Sequence, residues 1–276
     1  MTFLAEQKRA SQYMSYYQLA VFIFLSCMLL NLSCAKSLKV NKKKPTQEEN
    51  SREEEKPHFS AEKLLKPLTG SFDISSNYIF RGISFSSNLP AFQGGLSYLF
   101  PKTGLYVDVW GSNVKFYDFV GNTATVEPDL GGGIRNTVGT HFSYDFSWIR
   151  YSYPKAYQIN FDEFLANFQY FFISSLIGYT RNYFGTGGQG TYTNIGINYD
   201  IPPQYFFNLK DINLNAGIGY YYLPELFGNY ADYKIQLGKT IKNYKLSLQW
   251  TDTNHKYNID PNFANSKITA MIQVSF

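Results

Sequence analysis

From residue 70 to the end of the chain, hydrophobic and polar positions alternate with a period of two. Phe72, Ile74, Ser76, Tyr78 and Phe80 alternate with Asp73, Ser75, Asn77, Ile79 and Arg81. The pattern returns as Leu105, Val107 and Val109 against Tyr106, Asp108 and Trp110, and as Phe142, Tyr144, Phe146 and Trp148 against Ser143, Asp145 and Ser147. Ile212 to Tyr220, Tyr233 to Leu237 and Tyr244 to Trp250 repeat it. Successive side chains on a strand point to opposite faces, so each segment has one apolar and one polar face. No stretch in this region carries a helical period with caps. The pattern predicts an all-β fold with strands near 71–83, 91–100, 104–111, 125–135, 140–151, 162–172, 174–182, 191–200, 211–221, 230–239, 243–252 and 265–276.

The connections alternate in length. Short ones fall at 101–104, 136–139 and 242–243; long ones at 111–124, 183–190, 223–229 and 253–264 are rich in Gly, Asn, Pro and Asp. An even number of antiparallel strands, with short turns at one rim and long loops at the other, is the plan of a transmembrane antiparallel β-barrel of about 12 strands. Residues 201–210 depart from it, being long on the short side.

A soluble sandwich shares the alternation, so composition has to decide. Aromatics make up 18% of the chain, and they recur on the apolar faces, as a lipid-facing wall with aromatic girdles requires. The opposite faces carry Asn, Gln, Ser, Asp and Gly, whereas a soluble barrel fills its interior with side chains that pack. The last strand alternates Ile268, Ala270, Ile272 and Val274 and closes on Phe276, the kind of aromatic strand that outer-membrane assembly machinery reads. A helical polytopic membrane protein is excluded, since it needs several apolar runs of about 20 residues.

The first 69 residues are of another kind. Lys8 and Arg9 precede an apolar run from Leu19 to Leu30, too short to span a bilayer as a helix, and Ser33-Cys34-Ala35 supplies small residues for cleavage. Residues 1–35 read as a signal peptide, with Met1 or Met14 as the start. Lipidation at Cys34 is the alternative. Cleavage after Ala35 removes both cysteines, Cys27 and Cys34, and suits an oxidising compartment. Residues 36–69 run from Lys42-Lys43-Lys44 to the acids Glu48, Glu49 and Glu53 to Glu55 with almost no apolar residue. Such a segment cannot offset its ordering entropy by burial, so it reads as a disordered periplasmic linker to a barrel at 70–276. From residue 70 onward bases and acids balance, which gives no electrostatic footprint for nucleic acid.

Asn77-Tyr78-Ile79-Phe80-Arg81-Gly82-Ile83-Ser84, Ala91-Phe92-Gln93-Gly94-Gly95-Leu96-Ser97-Tyr98 and Gly104-Leu105-Tyr106-Val107-Asp108-Val109-Trp110-Gly111-Ser112-Asn113-Val114 resemble the opening of the TorF-type porins, the Gcw_chp family of proteobacteria. Glu127-Pro128-Asp129-Leu130 and the stretch from Tyr144-Asp145 to Tyr151-Ser152-Tyr153-Pro154 are similar to the strands that follow. The resemblance covers residues 70–276. It implies a channel in the outer membrane of a Gram-negative bacterium without naming a solute, and the charged extension departs from the family pattern.

With apolar faces outward, parity turns Asp108, Glu127, Asp129, Asp145 and Glu163 inward on neighbouring strands. Arg81, Lys234, Lys245 and Lys267 then face them from strands around the closure. Opposed charged walls would focus a transverse field and filter ions. Inward charges could equally pair and fill the lumen, and Asp73, Asp232 and Arg135 fall on the wrong walls.

Other motifs carry little. Gly185-Thr186-Gly187-Gly188-Gln189-Gly190 spells a dinucleotide fingerprint, but a strand pattern rather than a helix follows it. His58, His141 and His255 have no metal spacing, and no cofactor is implied. The expected function is passive diffusion of small hydrophilic solutes or ions. The partners are outer-membrane lipid and, during insertion, the barrel assembly machinery acting on Ile272, Val274 and Phe276. The alternatives are an anchor that presents long loops for binding or adhesion, and an enzyme using His255 with Asp252 or Asp260.

Overall fold

A computed structural model of the chain describes residues 67–224, 228–254 and 261–276. Residues 1–35, expected as a signal peptide, residues 36–66 of the expected linker, His58, His255 and Asp260 lie outside the described residues. The described chain is nearly all β. Its strands are β1 (Leu68–Ser75), β2 (Ile79–Phe80), β3 (Ile83–Ser84), β4 (Ala91–Leu99), β5 (Leu105–Tyr117), β6 (Thr123–Val138), β7 (Phe142–Tyr151), β8 (Phe161–Tyr170), β9 (Ile173–Thr180), β10 (Gly190–Ile201), β11 (Ile212–Tyr222), β12 (Tyr230–Ile241), β13 (Tyr244–Thr253) and β14 (Lys267–Ser275).

Twelve of these form a closed antiparallel barrel, leaving out only β2 and β3, which pair with each other. Closure comes from β1, which pairs with β14 through Phe72 and Val274 and with β4 through Asp73 and Gln93. Closing the ladder leaves no strand edge for lipid to meet, the condition for β structure to cross a bilayer.

Burial is inverted relative to a soluble protein. Ile195 is 63% exposed and Phe164 61%, whereas Glu127 and Glu163 are 0%. Phe72 and Ile74 are exposed while Asp73 and Ser75 between them are buried, and the same parity runs round the ring. An exterior of alternating aliphatic and aromatic side chains is stable only against hydrocarbon, so this wall is built for a bilayer. No described helix is long and apolar enough to cross a membrane; the strands do so.

The rims differ as the spacing predicted. Tight turns join β4 to β5, β6 to β7, β8 to β9 and β12 to β13. At the first of these Gly104 has a φ of +78°, and a Cβ there would stand 2.6 Å from the Arg135 carbonyl oxygen, so only glycine fits. The 202–211 connection is long, as its sequence indicated, and is tied to β12 by the Lys239 Nζ donating to the Lys210 carbonyl at 3.0 Å.

Two expectations need correction. The loop expected over 111–124 contracts to residues 118–122, because β5 and β6 continue past a bulge between Asn113 and Phe116. Asp118 closes the tight turn, accepting the amides of Val120 (3.0 Å) and Asn122 (2.7 Å) and the Asn122 side-chain amide (2.8 Å). Burial works to raise this carboxyl, but the hydrogen bonds from Asn122, Val120 and Gly121 outweigh it and hold it below the ordinary carboxylate value.

The second correction concerns the first strand, which was expected to run to residue 83 but ends at Ser75. The chain then turns into the barrel as the β2–β3 hairpin, with Arg81 (φ 47°) and Gly82 (φ 81°) at its tip. Period-two alternation continues through this segment, but its hydrogen bonds do not. The Ser84 hydroxyl donates to Asn77 Oδ1 (2.6 Å), and Asn77 Nδ2 donates to Asn88 Oδ1 (3.0 Å). Ser84 Oγ also accepts the Asn88 amide (2.8 Å), and Ser86 Oγ accepts the Tyr78 amide (2.9 Å). Short Asn and Ser side chains offer the backbone these local partners in place of a ladder.

Candidate functional site: a stoppered lumen

The hairpin crosses the interior from one wall to the other. Tyr78 meets Trp110 on β5 at 5.5 Å between ring centroids, and Phe80 meets Tyr151 on β7 at 5.8 Å. At the tip, Arg81 donates two hydrogen bonds to Glu163 on β8, at 2.8 and 2.7 Å. Its guanidinium also lies 4.1 Å from the Tyr192 ring centroid on β10 and 4.8 Å from that of Tyr221 on β11. A Cβ on Gly82 would collide with Thr253 and Asp232, so the tip is wedged against β12 and β13 as well.

The aromatic core gathers around this hairpin at the long-loop rim. Phe85 packs on Phe116 and Phe184, Phe161 stacks on Tyr151, and Tyr183 meets Tyr221. Tyr153, Tyr221 and Tyr230 are almost fully buried. Burial, and next the nearby Glu127 charge, push the hydroxyls of Tyr78 and Tyr153 well above the ordinary tyrosine value, so both stay protonated as donors.

The Arg81–Glu163 side chains are 7% and 0% exposed. Removing one partner of such a pair strands a buried charge and costs about 3–5 kcal/mol, so the pair acts as a latch on the hairpin.

Toward the short-turn rim the lumen opens into cavities of mixed lining. One of 560 Å³ is bordered by Arg135, Asp145, Asn167 and Asn194, and one of 720 Å³ by Ser97, Asp108, Trp110 and Lys242. A third, of 250 Å³, lies between the hairpin and the β5–β7 wall.

The residues singled out by parity fall as follows. Asp108 accepts the Ser97 hydroxyl (2.9 Å), Asp145 accepts the Tyr106 hydroxyl (2.7 Å), and Asp129 lies opposite Trp110. Glu127 is wholly enclosed, with the Tyr153 hydroxyl donating to Oε1. Lys234 lies across from Gly217 and Thr251, Lys245 passes over Gly238, and Lys267 donates to the Asn265 carbonyl at 2.7 Å. Arg81 is the exception: it is no wall residue of the first strand, because it sits on the inner hairpin and is spent on Glu163. Arg135 stands among the acids, donating to Ser97 (3.2 Å) with its guanidinium 4.5 Å from the Tyr106 ring centroid. The outer residues Ile272 and Val274 pair with Ile74 and Phe72, and Phe276 exchanges backbone hydrogen bonds with Gly70 at 2.8 and 3.0 Å. The glycine-rich 185–190 segment is a loop between β9 and β10 that leads into a strand.

Sequence reasoning missed the stopper. Its signal was present: inward aromatic residues Tyr151, Phe161, Tyr192, Tyr221 and Tyr230 stand at the strand ends nearest the long loops, whereas the inward positions farther along these strands carry no aromatic residue.

A closed wall, greasy outside and polar inside, with its own hairpin wedged across one mouth, defines a transmembrane β-barrel with an internal constriction. The chain belongs to a bacterial family of unknown function, Gcw_chp, whose model matches residues 66–276. Among solved structures it is similar to the KdgM porin (12% identity, 75% of this chain and 99% of that one, TM-score 0.48). It is also similar to the NanC porin (9%, 76% and 98%, 0.47) and to OprD of Pseudomonas aeruginosa (8%, 76% and 66%, 0.35). No curated protein matches the chain.

Proposed function

We propose that the protein is an outer-membrane channel of a Gram-negative bacterium, of the TorF porin type, through which small hydrophilic solutes or ions diffuse passively. The observation that carries this reading is the pair of cavities of 560 and 720 Å³, bordered by Asn, Ser, Asp and Arg side chains, inside a wall whose outer surface is apolar. In this reading residues 1–35 direct export, residues 36–69 lie on the periplasmic side, and the assembly machinery reads Ile272, Val274 and Phe276. In the same reading Asp108 and Asp145 on one wall and Lys234, Lys245 and Lys267 on the other bias ion passage, while Asp129 lies beneath the hairpin. The stopper makes passage conditional: solute crosses when Arg81 releases Glu163 and the hairpin moves.

The same stopper favours a second reading, in which a sealed barrel anchors loops that bind surfaces. Planar-bilayer recording of the full chain separates the two. The channel reading expects sparse small steps from the wild type and steps several-fold larger from Glu163→Ala or from a chain with residues 79–84 replaced by a short glycine linker. Silence from all three supports the anchor.

A further inference from the structure

We propose that the 250 Å³ cavity beneath the hairpin is a binding site for a small organic cation, an amine or quaternary ammonium group. Its walls are aromatic on both sides: Tyr78 with Trp110, and Phe80 with Tyr151. Ring faces carry negative potential and attract ammonium groups, most strongly where water is excluded. Asp108, Asp129, Gly131 and Ile149 complete the lining.

Among the described residues the ion pairs are Arg81–Glu163 and Arg150–Asp162, so neither lining carboxylate is in one. Asp108 has a hydroxyl donor in Ser97 and the more distant charge of Arg135. Asp129 Oδ1 is buried with no hydrogen-bond donor, and behind it the fully enclosed Glu127 leaves Oε2 in the same state. Buried carboxylate oxygens without donors are expensive, and a bound cation would satisfy them.

The form of the site selects the ligand. No described cluster of three or more acid, His or Cys side chains could hold a metal ion, and the remaining walls are aromatic rings with Ile149 and Gly131 rather than oxygen ligands. The volume lies below the roughly 300–1,000 Å³ of drug-sized pockets and suits a molecule of choline size. Asp108 and Trp110 also border the 720 Å³ cavity at the short-turn rim, which supplies a route in. The site therefore rests on a lumen reached from that rim and not on conduction through the stopper.

Choline and tetramethylammonium titrated into the folded full chain in detergent, followed by tryptophan fluorescence and calorimetry, test it. Saturable binding at millimolar or lower concentration is expected, at least tenfold tighter than that of 3,3-dimethylbutan-1-ol, the neutral isostere of choline. Asp129→Asn and, independently, Trp110→Leu should each weaken it at least tenfold while the barrel still shows heat-modifiable migration. No saturable signal from either cation, equal competition by sodium at matched ionic strength, or affinity unchanged in a folded variant overturns the proposal.

Discussion

The two halves of the lumen are lined by the same strands, yet one is packed and the other wet. Along β7 the inward positions run Ser143, Asp145, Ser147, Ile149 and Tyr151 from the short-turn rim to the long-loop rim; along β11 they run Asn213, Asn215, Gly217, Gly219 and Tyr221. At the long-loop end the tyrosines meet the inner hairpin and the core has close to protein-interior burial. At the other end the same parity leaves cavities edged by Asn, Ser and Asp. A barrel of this size can be plugged or open, and the gradient along each strand decides where. Lipid supports the outer surface of both halves equally, so the difference lies wholly in what the inward side chains meet.

That comparison breaks most sharply at the latch. Glu163→Ala should cost the stoppered half about 3–5 kcal/mol by stranding Arg81. Trypsin added to the folded barrel should then cut after Arg81, where the wild type resists, with mass spectrometry identifying the fragment. A wild-type pattern would mean the hairpin is held by its aromatic packing alone. The double variant Arg81→Leu with Glu163→Leu should regain most of the loss, because replacing a buried pair by apolar groups is often neutral or stabilising by about 1–4 kcal/mol.

Smaller effects follow. Asn77→Ala removes the acceptor of the Ser84 hydroxyl and the donor to Asn88, so the hairpin should loosen by about 1–3 kcal/mol, the range for stranding buried polar partners. Hydrogen exchange should rise over residues 77–88 and stay unchanged in β12 to β14. In the wet half, Asp145→Asn should shift the urea midpoint of the barrel by less than the equivalent of about 1 kcal/mol, since partly exposed charges contribute little. A large shift there would show that the vestibule is packed, and the contrast between the halves would fall.

Much of the architecture was legible. Twelve alternating segments and the sign of each face follow from period two, because strand geometry forces alternate side chains to opposite sides whatever the neighbours are. The same rule fails at residues 76–83. There Tyr78 and Phe80 keep the alternation of Phe72 and Ile74, yet they point into an aromatic cluster instead of lipid. Hydropathy cannot separate burial against protein from burial against hydrocarbon, as both are apolar. The Asn77, Ser84, Ser86 and Asn88 spacing was the available sign of a turn, and its meaning depends on hydrogen bonds that close only in three dimensions.

The sequence by itself determined a closed β wall with one greasy and one polar face, since that depends on local geometry and transfer free energy alone. Only the tertiary structure decided that Arg81 leaves the wall for Glu163, 82 residues away in sequence, and that Asp129 shares a cavity with Tyr78 and Trp110. Those meetings join positions far apart along the chain, and closure of the ring is what brings them within reach.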